Sequence, residues 1–275
     1  MVIVDAQVHI WTGGIPSAHH RQEPFGADDL LEAMAAAGVD RAVLVPPTWD
    51  PNARDIAFAA VARHPDRFGV MGGLPLDRPV SRLELPRWRE QPGALGLRFS
   101  FNSPQTQAWL TDGTADWVWP AAEHAGLPVA ILAPGVLPAI GAIARRHPKL
   151  RIIVDHLGIP RGLKDAAAFA HLPELLALAA LPNVAVKAAG LPSYAGKDPY
   201  PHRSLHPYLR RVVDAFGAER VFWGTDLSRM TCSYRACVTM FTEELDWLST
   251  RELELIMGAA LCVWIGWSLP APGRR

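Results

Sequence analysis

Asp5, Gln7 and His9 occupy every second position in Met1–Trp11, behind an apolar lead-in of Met1-Val-Ile-Val4. A period of two puts the three side chains on one face of a single strand. An imidazole there can polarise a carbonyl, and the neighbouring amide can hold a substrate oxygen or orient the ring. A half-buried edge strand with a wet polar face would show the same alternation. The remainder of the chain separates the two readings, because ionisable side chains recur at the ends of later apolar runs. Arg98 closes Ala94-Leu-Gly-Leu-Arg98, and His156 closes Arg151-Ile-Ile-Val-Asp-His156. Lys187 closes Asn183-Val-Ala-Val-Lys187, and Asp226 closes Arg220-Val-Phe-Trp-Gly-Thr-Asp226.

Those runs are strands, joined by Arg41–Val45, Gly69–Gly72 and Pro128–Leu132 to make eight with the first. Helical patterns alternate with them over Ala27–Ala37, Asn52–His64, Val80–Glu90, Asp116–Ala125, Leu137–His147, Ala166–Ala180 and Leu205–Phe216. Two more follow the last strand, Tyr234–Leu248 and Arg251–Ile265. Strand–helix alternation implies a parallel sheet with helical crossovers. Eight such units in 275 residues predict an α/β fold of the closed type, a distorted (β/α)8 barrel, which takes roughly 250 residues. An open doubly wound sheet is disfavoured because no glycine-rich phosphate loop follows the first strand. Gly38, Gly126 and Gly217 sit where helices should end, and Pro65 and Pro148 stop two others. No linker or low-complexity tract divides the chain, so residues 1–275 read as one domain with C-terminal helices.

Lys and Arg total 27 and Asp and Glu total 27, a formal net charge of zero. That balance gives no electrostatic case for nucleic acid or an anionic membrane. No apolar stretch approaches the ~20 residues of a membrane span, and the N-terminus enters a strand rather than a signal peptide. Cys232, Cys237 and Cys262 lack zinc-finger spacing and read as reduced thiols of a cytoplasmic protein. A homo-oligomer is left open.

In a barrel of this type, chemistry sits at the C-terminal ends of the strands. Gln7, His9, Arg98, His156, Lys187 and Asp226 would converge there from separate strands. Asp226 is the carboxylate facing the mouth and the candidate general base. Burial would raise its pKa and improve it, while Arg98 or Lys187 nearby would oppose that. His9 and His156 are candidates to polarise a carbonyl and donate to a developing alkoxide. Arg98 offers a forked guanidinium for a substrate carboxylate. Lys187 either assists or pairs structurally with an acid, and Asp5 and Asp155 read as braces of neighbouring backbone. Trp11 and Trp49 would wall the mouth with flat apolar surface suited to a cyclic substrate. The loop Pro192–Arg203 offers Tyr194, Tyr200, His202 and Arg203, and Arg229 is a second anion contact.

Val4-Asp-Ala-Gln-Val-His9, Val154-Asp-His-Leu-Gly158 and Trp223-Gly-Thr-Asp-Leu227 fall in order on strands one, six and eight. They resemble the amidohydrolase superfamily, and within it the amidohydrolase-related (family 2) branch that contains 2-pyrone-4,6-dicarboxylate lactonase and D-galactarolactone isomerase. The resemblance extends through Gly96-Leu-Arg-Phe99 to Ile256-Met-Gly258 and Trp264-Ile-Gly-Trp267. It implies a hydrolase acting on a small cyclic substrate, a lactone or similar ester that can carry a carboxylate. Metal-dependent relatives carry His-x-His on strand one, where this chain has Gln7-Val-His9. A neutral amide replaces imidazole poorly on zinc, and the two relatives just named work without metal. No cofactor is therefore expected. The alternative is a zinc-dependent amidohydrolase or non-oxidative decarboxylase holding the metal through His9, His156 and Asp226.

Overall fold

A computed structural model describes residues 1–269. Eight parallel strands follow one another in chain order around a barrel. They are β1 (Val4–Val8), β2 (Arg41–Leu44), β3 (Phe68–Gly72), β4 (Ala94–Ser100), β5 (Val129–Leu132), β6 (Ile152–Val154), β7 (Val184–Ala189) and β8 (Val221–Gly224). Most strand residues are buried on both faces, which is why the sequence reads as short continuous apolar runs rather than clean alternation.

The outer layer begins with α1 (Ala27–Ala37), α2 (Ala53–Arg63), α3 (Ser81–Glu84), α4 (Pro104–Ala108), α5 (Val118–His124) and α6 (Leu137–Arg146). It continues with α7 (Asp165–Ala168), α8 (Leu172–Ala177), α9 (His206–Phe216), α10 (Tyr234–Thr242), α11 (Thr250–Glu254) and α12 (Ala260–Ile265). In α9 the buried residues Leu209, Val212, Val213 and Phe216 fall at i, i+3, i+4 and i+7, the stripe that seats a helix on a barrel wall. Gly38 ends α1 in the left-handed conformation, φ 77°, where a side chain would be strained.

Several predicted elements are shorter than their patterns. The expected Ala166–Ala180 helix is broken, and α8 restarts with Pro173 in its first turn, where a missing N–H costs nothing. The expected Arg251–Ile265 helix carries a wider turn at Leu255–Ala259. A Cβ on Gly258 would lie 2.8 Å from the Val2 carbonyl oxygen, so glycine lets this helix press against β1. The predicted strands ending at Trp11, His156 and Asp226 stop at Val8, Val154 and Gly224. Their last residues turn into the mouth instead.

The barrel is distorted at one seam. Hydrogen-bonded strand pairing runs from β1 to β8. Between β8 and β1 the Asp226 N–H donates to the Gln7 carbonyl at 2.8 Å, and the Thr225 N–H donates to Asp5 Oδ1 at 2.9 Å. The Asp5 carboxylate also accepts from the Gln7 N–H, the Thr225 hydroxyl and the Tyr234 hydroxyl. The expected brace role of Asp5 is thus a fourfold clasp across the gap. The cysteines are free thiols, Cys232 half-buried and Cys237 and Cys262 buried. Among the described residues no helix is long and apolar enough to cross a membrane.

Candidate active site

Three residues that follow strand ends meet over the barrel mouth. His9 continues β1, His156 follows β6 and Asp226 follows β8. His156 and Asp226 both adopt left-handed backbone at φ 53°, a conformation costly for a residue with a side chain. The surrounding structure holds them there, and their side chains converge. His9 Nε2 lies 3.2 Å from Asp226 Oδ1, and His156 Nε2 lies 3.6 Å from Asp226 Oδ2. Arg229 Nε approaches the same Oδ2 at 2.9 Å.

Backbone carbonyls orient both rings. His9 Nδ1 is 2.6 Å from the Val45 oxygen, and His156 Nδ1 is 3.2 Å from the Ala189 oxygen. A carbonyl only accepts, so each Nδ1 carries a hydrogen and each Nε2 faces the carboxylate. Burial and the Arg229 charge push His156 down to about 4, so at neutral pH its Nε2 is a bare acceptor. Burial alone would raise Asp226, but Arg229, His9 and His156 outweigh it and hold the carboxyl well below the usual range. The sequence-based expectation of a base strengthened by burial is corrected here. Arg229, not Arg98 or Lys187, opposes it.

A second charged layer lies beneath. Asp155 accepts from Arg98 Nε at 3.0 Å and from Lys187 Nζ at 3.0 Å. Burial acts to raise Asp155, yet those two cations hold it down at about 2. Burial lowers Lys187, with Asp155 opposing. Lys187 also donates to Gln7 Oε1 at 2.9 Å. Asp155 therefore ties Arg98 and Lys187 together, a larger role than the backbone brace expected of it.

Above these groups is a cavity of about 260 Å³. Its wall contains His9, Trp49, Arg98, His156, Tyr194, Asp226 and Arg229 from the sequence-based set. Gln7 and Lys187 are wholly buried below it, and Trp11 is buried against Phe25 and Trp49, so these three do not stand on its wall. Of the other loop candidates, Tyr200 bonds Thr239, His202 bonds the Asp198 carbonyl and Arg203 pairs with Glu244. Tyr194 accepts a hydrogen bond from Arg229 at 2.6 Å, which fixes the guanidinium against Asp226.

The wall also holds residues that the strand-end argument missed. Ser17, His19, His20, Asn102 and Arg161 come from loops, and Thr106 from the short helix α4. His20 meets the Trp49 ring at 4.7 Å between centroids and lies 2.7 Å, through Nδ1, from the Ser228 hydroxyl. Burial pushes His20 down to about 3, so it too is neutral. The His19-His20 doublet and the isolated Arg161 were the available signals, but both stand in stretches without period.

His9, His156 and Asp226 would be the ligands of a zinc at this mouth. Among the described residues no group of three or more His, Cys, Asp or Glu side chains is arranged to hold a metal. The chemistry of the donor set explains why. The carboxylate already carries the Arg229 guanidinium, a fixed positive charge, and the strand-one amide that replaces a second imidazole is engaged by Lys187. The set does not fit a divalent cation well.

A family model described as Amidohydrolase matches residues 4–271. The chain is 30% identical over 233 residues to an L-fucono-1,5-lactonase of Burkholderia ambifaria, covering 81% of this chain and 79% of that one. It is 29% identical over 213 residues to a 4-sulfomuconolactone hydrolase of Hydrogenophaga intermedia, covering 74% and 64%. A crystal structure of an amidohydrolase from Burkholderia multivorans with bound zinc superposes with a TM-score of 0.83 at 20% identity, over 97% of this chain and 99% of that one.

Proposed function

The chain belongs to the amidohydrolase family and is a hydrolase, and we propose that it opens lactones by adding water at the His9–His156–Asp226 cluster. Two relatives named for lactone hydrolysis support the reaction class. The observation that carries the site is the meeting of two backbone-oriented imidazoles on one ionised carboxylate in the barrel-mouth cavity.

The roles follow from which atoms can accept and which can donate. The attacking water lies against Asp226 and the bare Nε2 of His156, both acceptors. As it adds to the lactone carbonyl, its proton passes to the carboxylate. Asp226 is a weak base in the free enzyme, but the negative charge growing on the carbonyl oxygen offsets the nearby cations and raises its proton affinity as the reaction proceeds. The proton that Asp226 has taken up is then the one available to the departing ring oxygen. Arg98 keeps its terminal nitrogens for a substrate carboxylate or oxyanion, because Asp155 engages its Nε alone. Arg161 adds a second cation to the wall, and Trp49 gives a flat side for the ring. Lys187 acts from below by holding Asp155, and through it Arg98, while Gln7 fixes Lys187 by accepting its hydrogen bond.

We assign the chemistry to these protein groups without a metal. Hydrolysis of sugar-acid and muconolactone-type lactones, followed by acid release, tests the reaction. A folded protein that opens none of them would remove this function. Chelator-treated protein should retain its rate. Stoichiometric zinc, with activity lost on its removal and restored on its return, would instead favour the zinc-dependent reading.

A further inference from the structure

A second cavity, of about 340 Å³, opens beside the first at the ends of β2, β3 and β4. The two share Pro47, Thr48, Arg98 and Ser100, so they are adjoining compartments of one mouth. The chemistry of the second wall differs. Met71, Leu74, Leu76, Phe99 and Trp109 give it an apolar interior. Its two other ionisable side chains are already committed. Arg54 pairs with Glu84 at 3.3 Å and stacks over Trp88, and Asp50 accepts from the Thr12, Gly13 and Asn52 N–H groups. Arg98 stands at the junction, half-buried and anchored through Nε to Asp155.

From this arrangement we propose that the second compartment is a substrate subsite for an apolar arm carried on the lactone ring. The ring and its polar groups occupy the catalytic cavity, Arg98 marks the boundary, and a short alkyl or aryl substituent extends past it. The occupant follows from continuity. An arm attached to a ring beside Asp226 reaches the compartment without leaving the mouth. A separate polar or anionic ligand would find no free charged partner there except Arg98. Size agrees, since an apolar cavity of about 150 Å³ already takes a benzene ring. The proposal rests on the lactonase reading and narrows its substrate class.

The test compares δ-lactones identical except for a methyl, n-propyl or phenyl arm. Each methylene taken from water into an apolar site should raise kcat/KM about fourfold, so the propyl compound, two methylenes longer, should exceed the methyl one by about fifteenfold. Equal values for all three arms would overturn the subsite while leaving the hydrolase intact, whereas no hydrolysis of any would overturn both readings. Leu74→Phe and Leu76→Phe fill the compartment from two different positions. Either one, folded by circular dichroism, should bring the propyl-to-methyl ratio close to one. A ratio that persists in both would place the arm elsewhere and overturn the assignment.

Discussion

Asp226 has two tasks that a single substitution removes together. As a charge it compensates Arg229, and as a base it takes a proton from water. Asp226→Asn keeps the shape and removes both, so turnover should fall by about 10²–10⁴-fold, the usual worth of a general base. Full turnover in a folded variant, measured with any lactone the parent opens, would remove the proposed base. Arg98→Lys should act on binding instead. Lysine keeps the charge but loses the fork that lets one nitrogen hold Asp155 while the others face substrate. KM for a carboxylated lactone should rise about tenfold with kcat little changed, the pattern of lost uniform binding. An unchanged KM would exclude Arg98 as the handle. The residues of this cluster were legible in the sequence because each ends or directly follows an apolar run. Their partners were not. Nothing in Leu227-Ser-Arg229 says that Arg229 folds back onto Asp226, because that contact depends on left-handed backbone at Asp226.

Strands and helices fix the mouth only if the barrel closes, and beside the Asp226–Gln7 backbone bond the Asp5 side chain carries the closure between β8 and β1. Asp5 accepts from two backbone N–H groups and two hydroxyls, Tyr234 of α10 among them. Asp5→Ala would leave four buried donors without their partner. A single unsatisfied buried group costs about 1–3 kcal/mol. Allowing for partial relaxation, a loss of about 4 kcal/mol is expected, or about 10 °C in melting temperature for a domain of this size. Asp5→Asn should cost much less, because the Thr225 and Tyr234 hydroxyls can turn and accept from the new amide. Calorimetry decides, and equal melting temperatures for Asp5→Ala and the parent would show that the clasp is not what closes the seam. The alternation of β and α and the order of strands were readable from apolar runs and turn residues. The clasp was not, because Asp5 and Thr225 are 220 positions apart and no local period links them. Helix breaks at Pro173 and at the Leu255–Ala259 turn were hidden for a related reason. Apolar periodicity continues through both, and packing against the barrel sets the backbone.

The whole molecule combines a formal charge of zero with a mouth in which several titrating groups are held away from their ordinary behaviour. Folded stability therefore depends on pH in a way that net charge does not reveal. His156, at about 4, and His20, at about 3, are neutral in the fold, whereas an unfolded histidine titrates near 6.5. As pH falls below 6.5 the unfolded chain binds protons that the fold refuses, so both residues reduce stability. Each contributes a slope of at most about 1.4 kcal/mol per pH unit. Asp5 works in the opposite sense. Burial raises it to about 6 against its four donors, so between about 6 and 3.8 the fold takes up a proton before the unfolded chain does. One histidine is thereby offset. Below about 3.8, Asp155, at about 2, and Asp226, held low by its cations, add two further groups that lose their native partners on protonation. Between pH 6 and 4 stability should decline with at least the slope of one histidine, and it should then drop steeply. His156→Asn removes one of the rings that the fold holds neutral. Its denaturant-derived stability should lose up to about 1.4 kcal/mol per pH unit of slope between 6 and 4, because Asp5 then opposes His20 and only His19 adds to it. The parent slope persisting in His156→Asn would mean that the ring is not held neutral beside Arg229, and its assignment as the bare acceptor for water would fail with it.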